Sequence, residues 1–176
     1  MERQGHITLV TGGARSGKSA LAERLVLRHR LPRIYIATAE PRDGEMSDRI
    51  LEHRRRRGEG WTTVEEPLAL DRALQGSDGQ GVRLVDCLTL WLSNCVGAGD
   101  IGGLFAVLRA QHSPVVLVTN ELGQGIVPDN ALARRFRDQH GWMNQAVAGI
   151  ADEVWMAVSG QPLRLKPLRE DPDASL

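Results

Sequence analysis

The stretch ITLVTGGARSGKSALAERL, residues 7–25, passes from a β-branched apolar run through a glycine-rich turn into an amphipathic segment. Gly12-Gly13-Ala14-Arg15-Ser16-Gly17-Lys18-Ser19 fits the spacing G-x-x-x-x-G-K-[ST]. It stands after a strand and before a helix, the context in which that spacing holds phosphate. Gly12, Gly13 and Gly17 permit backbone conformations that turn N–H groups inward, the helix N-terminus adds partial positive charge, and Lys18 reaches the outer phosphates. Ser19 is the expected Mg2+ ligand. Such a loop needs an acidic partner at the end of another strand to hold the metal through its water shell, and RLVDC supplies Asp86. Alone, Asp86 reads as a strand-end cap; beside the phosphate loop the metal role weighs more. Glu121, in VVLVTNELGQG, ends a second strand in the same way. It reads equally as a residue that orients a substrate hydroxyl and as one that binds turn amides.

Outward from the loop, apolar runs recur at His6, Arg33, Val82 and Pro114, and EVWMAVSG from Glu153 and LRLK from Leu163 extend the set. Their length and β-branched content predict buried strands. Helix-like segments lie between them, at 18–30, 45–57, 67–75 and 129–150; in the last, Leu132, Phe136, Met143 and Val147 recur at helical spacing. Alternating strand and helix predicts βαβ units and a mostly parallel sheet covered on both faces, with ligands beyond the carboxyl ends of its strands. GSDGQG (76–81) and GAGDIGG (97–103) read as connecting loops.

The chain has 176 residues, enough for one domain with a sizeable core, expected over 1–168 with a flexible tail at 169–176. Twenty-two basic residues balance twenty-two acidic ones, so the global field selects neither nucleic acid nor an anionic membrane. Cys87 and Cys95 have no His or Cys cluster near them in sequence, which argues against zinc and fits a reducing compartment. No apolar run approaches a membrane span and no signal peptide is recognisable, so a cytoplasmic protein is expected.

The basic residues are concentrated locally. RILEHRRRRGEGW places Arg54, Arg55, Arg56 and Arg57 directly after His53. Met46, Ile50 and His53 follow one another at helical spacings of four and three, putting His53 on the inward edge of a helix. An isolated histidine there reads as a half-buried core residue. Four adjacent arginines change the weighing, because each like-charge pair within a helix costs about 0.2–0.5 kcal/mol and an anion would offset it. Two at most face the same side as His53, where they suit a triphosphate or departing pyrophosphate. Their positive charge favours a neutral imidazole, which is a nucleophile. Covalent nucleotidyl transfer through His53 is therefore expected.

These blocks, together with YIATAEPRDGEMSDRILEHRRRRGEGWTTVEEP, LVDCLTLWLSN, TNELGQGIVPDNALARRFRDQHGWMNQAVAGIADEVW and VSGQPLRLK, resemble the bifunctional adenosylcobinamide kinase/adenosylcobinamide-phosphate guanylyltransferase family of cobalamin biosynthesis. The resemblance covers nearly the whole chain. It implies an α/β P-loop NTPase fold with a RecA-like, mostly parallel sheet flanked by helices. It implies phosphorylation of the aminopropanol hydroxyl of adenosylcobinamide with ATP or GTP, then GMP transfer from GTP through a guanylylated His53. Thr38, Ala39, Glu40, Arg54 to Arg57, Glu65 and Asp86 match positions associated with GTP, and the family forms trimers. The loop after Asn94 is shorter and richer in glycine than the family pattern, and Trp142 stands where a basic residue is commoner.

Two other classes compete. A nucleotide-dependent regulatory switch would read guanine through N-K-x-D, and the nearest candidate, TNELG, lacks the lysine and the aspartate. A single-activity small-molecule kinase would leave His53 inert.

Overall fold

The β-branched runs become the interior of one seven-stranded sheet. In the computed structural model, which describes residues 5–40, 44–95 and 101–168 and only the backbone of 45–47, 49, 50 and 56, the elements follow in order. They are β1 (Ile7–Gly12), α1 (Lys18–Leu27), β2 (Arg33–Ala37), α2 (Gly44–Arg57), β3 (Trp61–Glu65), α3 (Leu70–Gly76) and β4 (Val82–Asp86). Then come α4 (Leu88–Asn94), α5 (Ile101–Ala110), β5 (Val115–Val118), a 3-10 turn (Leu122–Gln124), α6 (Ala131–Ile150), β6 (Glu153–Val158) and β7 (Gln161–Lys166). The strand order is β3-β2-β4-β5-β1-β6-β7. Every pairing is parallel except β6 with β7.

Side-chain alternation along each strand divides the core in two. Ile7 and Leu9 of β1 with Val115 and Leu117 of β5 meet Trp91, Leu104, Leu108, Met143 and Val147 from α4, α5 and α6. Val10, Leu84, Val116 and Val118 turn the other way, onto Leu21, Ala22, Leu25 and Val26 of α1. Each large side chain so buried contributes about 1.5–3 kcal/mol. Among the described residues no helix is long and apolar enough to cross a membrane.

Several expected boundaries shift. Asn130 accepts the Ala133 amide at 2.7 Å, so α6 starts at Ala131 rather than Asp129. Leu132 is 69% exposed, and the core stripe of α6 begins further on. Glu66 accepts the amides of Leu68 and Ala69, turning the chain so that α3 starts at Leu70 and not Pro67. The GAGDIGG segment is not wholly a loop: Ile101, Gly102 and Gly103 open α5, and burial of Leu104, Val107 and Leu108 overrides the weak helix propensity of glycine. Residues 97–100, and the expected tail at 169–176, lie outside the described residues.

Register sets up the site. Glu65 pairs with Ala37, Ala37 with Asp86, Asp86 with Val118, and Val118 with Val10. Five parallel strands therefore finish level along one edge, and the phosphate loop leaves that edge two residues beyond Val10.

Candidate active site

The loop after β1 adopts backbone angles that its sequence allows. Gly17 has φ 92° and stands immediately before α1, while Gly12, at φ 153°, lies so close to its surroundings that a Cβ would sit 2.7 Å from the Ala157 carbonyl oxygen. The Ser16 amide donates to the Gly13 carbonyl at 3.3 Å, and Gly160 N donates to Ser16 O at 2.9 Å, which ties the loop to the β6–β7 turn. Lys18 Nζ reaches back to Gly13 O at 3.0 Å, across the mouth of the loop. Ser16 Oγ is buried without a hydrogen-bond partner among the described residues. An oxyanion seated in the loop would satisfy it.

Asp86, at the end of β4, is a second centre. Tyr35 Oη donates to its Oδ2 at 3.1 Å, and His53 Nδ1 approaches the same oxygen at 3.7 Å. Burial, and then the Asp86 charge, pushes the Tyr35 hydroxyl far above its ordinary range, so it remains a donor. The Arg57 guanidinium lies 3.2 Å above the centre of the Tyr35 ring, with Nε and Nη1 buried and without hydrogen-bond partners among the described residues. Burial lowers the pKa of Arg57, and each unpaired donor costs about 1–3 kcal/mol. An anion beside His53 and Asp86 would relieve both penalties. Cys87 adjoins Asp86, but burial, reinforced by that carboxylate, pushes its thiol up to about 12, which removes it as a nucleophile at neutral pH.

A phosphate loop and a histidine–arginine centre thus share one sheet edge. Residues 8–165 match the family described as cobinamide kinase/cobinamide phosphate guanyltransferase. The chain belongs to that family. It is 46% identical over 166 residues to the bifunctional adenosylcobalamin biosynthesis protein CobP of Pseudomonas aeruginosa, covering 90% of this chain and 96% of that one. It is 41% identical over 179 residues to CobU of Escherichia coli, covering 90% and 98%. Among solved structures it is similar to the flagellar accessory protein FlaH of Methanocaldococcus jannaschii, with TM-score 0.56, 12% identity, and coverage of 94% of this chain and 80% of that one. It is also similar to an ATPase of a type III secretion system, with TM-score 0.55, 14% identity, and coverage of 86% and 51%. At such identities the likeness is one of fold, a mostly parallel sheet flanked by helices.

The residues expected to serve this family's chemistry do not all occupy equivalent places. His53, Asp86 and Arg57 come together, and the loop from Gly12 to Ser19 lies on the same edge. Arg54 instead pairs with Glu65 at 3.4 Å, both largely exposed, and Arg55 points to solvent. The side chains of Arg56, Met46 and Ile50 lie outside the described residues. Thr38 is fully buried, donating to Cys87 O and accepting from Cys87 N, each at 2.8 Å. It clamps the exit of β4, and Ala39 and Glu40 follow it, partly buried.

Apart from Glu121, sequence reading passed over the members of a polar network at the end of β5. Thr11 Oγ1 donates to Glu121 Oε1 at 2.5 Å, and Asn144 Nδ2 approaches the same oxygen at 3.5 Å. Asn144 also donates to Asn120 O and accepts from Thr119 Oγ1. Thr89 Oγ1 accepts twice from Asn120 and lies 2.8 Å from His140 Nε2. Thr119 Oγ1 lies 3.2 Å from the same ring nitrogen. Burial holds the His140 pKa down against the opposing Glu121 charge. No local motif marks these residues; they converge from β1, β5, α4 and α6 only in the fold. Tyr35, buried in β2, likewise reads in sequence as core.

Proposed function

We propose that this chain phosphorylates the aminopropanol hydroxyl of adenosylcobinamide with ATP or GTP and then transfers GMP from GTP to the phosphate through a guanylylated His53, yielding adenosylcobinamide-GDP. The observation that carries this reading is the approach of His53 Nδ1 to Asp86, with Arg57 beside them, on the edge from which the phosphate loop emerges. Asp86 favours the tautomer with its proton on Nδ1, leaving the Nε2 lone pair for an α-phosphorus. The unpaired Arg57 donors suit departing pyrophosphate. Lys18 and the loop amides would hold the triphosphate.

The donors present fit Mg2+. Ser19 and Asp86 are hard oxygen donors. When bound, Mg2+ would neutralise developing charge on the phosphates. Assembly into a cytoplasmic homo-oligomer, a trimer in the family pattern, belongs to the same proposal, and light scattering tests the assembly.

Incubation with GTP labelled at the α-phosphorus, followed by denaturation, tests the covalent step. One acid-labile GMP should appear on the peptide containing His53, and His53→Ala should lose the label and GMP transfer while still phosphorylating cobinamide. Label on another residue, or label persisting in His53→Ala, would contradict the assignment. A switch protein or a single-activity kinase would carry no label at all.

A further inference from the structure

Glu121 follows β5 and lies against the strand that leads into the phosphate loop. β5 lies between β4 and β1, so the chain beyond Val118 emerges between Asp86 and the phosphate loop. Glu121 Oε1 accepts from Thr11, the residue before Gly12, and the buried Thr119–Asn144–Asn120 network ties its surroundings to α6. A carboxylate held through one oxygen by a rigid scaffold can present the other to a ligand. Beside it, between the 3-10 turn and α6, opens a cleft of about 260 Å³ lined by Glu121, Leu122, Arg137, His140, Trp142 and Gln145. Trp142 is 68% exposed, a large apolar face beside polar side chains. That combination suits a broad, flat, apolar molecule rimmed by amides, which is the chemistry of a corrinoid.

We propose that Glu121 is the general base of the alcohol phosphorylation and that this cleft seats the acceptor, with Trp142 against its apolar face. The proposal rests on the kinase reading above. The acceptor O–H proton passes to the Glu121 carboxylate while the alcohol oxygen bonds to the γ-phosphorus. The bond from that phosphorus to the β,γ-bridging oxygen breaks, and the nucleoside diphosphate leaves with the electron pair. The second reaction makes no such demand. Its acceptor is a phosphate monoester, already an oxyanion at neutral pH, which attacks the guanylylated histidine with no proton to remove. Glu121 is thus needed for one step and dispensable for the other, the reverse of His53.

The test compares Glu121→Gln with the wild-type chain in three assays: phosphorylation of cobinamide, labelling of His53 by GTP, and GMP transfer to cobinamide phosphate supplied ready-made. The expected result is a loss of phosphorylation of at least about 100-fold, with labelling and transfer close to wild type, which also reports an intact fold. Trp142→Ala should raise KM for cobinamide severalfold and leave His53 labelling unchanged. Wild-type phosphorylation by Glu121→Gln would overturn the proposal. So would a parallel loss of phosphorylation and transfer, which marks a structural role, or a Trp142→Ala variant with unaltered KM. A wild-type chain that phosphorylates no cobinamide would remove the kinase reading itself, a result distinct from any of these.

Discussion

Asp86 has two neighbours at one oxygen. Tyr35 donates to Oδ2, and His53 approaches it from α2, while the phosphate loop needs a carboxylate on this edge for Mg2+ held through water. Under the proposed function one charge would serve phosphate binding and orient the imidazole. Asp86→Asn keeps the shape and still accepts from Tyr35, but it removes the charge. Both phosphorylation and His53 labelling should fall about 10–100-fold, the usual cost of losing a group that acts on a metal through its outer shell, with partial recovery at raised Mg2+. Titration of each activity against Mg2+ checks this, and an unchanged Mg2+ requirement would move the metal role to another carboxylate. The neighbouring Cys87, with its thiol pushed up to about 12, offers no substitute nucleophile.

The phosphate loop is shaped as much by the β6–β7 turn as by its own glycines. Gly160 donates to Ser16 O, and the Ala157 carbonyl closes on Gly12. A methyl at Gly12 would stand 2.6 Å from Ser16 Oγ and 2.7 Å from Ala157 O. Backbone at Ala157 belongs to a paired strand and cannot yield cheaply. Gly12→Ala should therefore destabilise by about 1–3 kcal/mol through strain at φ 153° and weaken nucleotide binding with it. Thermal unfolding with and without GTP separates the two effects, and a variant matching wild type in both would contradict this packing. The basic helix α2 differs in kind: its arginines diverge, and of those with described side chains only Arg57 turns onto Tyr35 beside Asp86.

Across the whole molecule the sheet has a reactive edge and a structural one. At the amino ends of the strands Arg83 is fully buried, bonded to Leu74 O, Gln111 Oε1 and Ser113 O, and paired with Asp78 at 3.2 Å. Burial would raise the Asp78 pKa, but the Ser113 and His112 amides, the His112 ring and Arg83 outweigh it and hold the carboxyl at about 2, below its ordinary 3.8. A depressed carboxylate stabilises the fold above its unfolded pKa, and that contribution drains away as pH falls from 3.8 to about 2. Asp78→Asn should be less stable at neutral pH, since Arg83 loses its counter-charge, and its stability should change less over that acid window. Urea unfolding midpoints measured against pH check the slope; parallel curves for variant and wild type would rule out Asp78 as the source. Enzymatic labelling of His53 should survive, because the site lies at the opposite edge.

Some of this was determined by the sequence alone. The phosphate loop, the strand positions, the mostly parallel sheet and the pairing of His53 with a basic block all rest on local spacing and on apolar runs, which the chain carries wherever it is placed. The edge strand β3, half exposed and reading WTTVE, lacks the continuous apolar run that marks β2 or β5, and α5 opens through two glycines that tertiary burial alone makes helical. Which arginine turns onto the Tyr35 ring, and which pairs with Glu65, depended on how α2 lies over Tyr35. Glu121, which the sequence leaves even between orienting a substrate hydroxyl and binding turn amides, accepts from Thr11, whose hydroxyl reaches it from 110 residues away in sequence. Contacts of that separation leave no periodic signature, because neither partner constrains the residues beside the other; strand order and register brought them together.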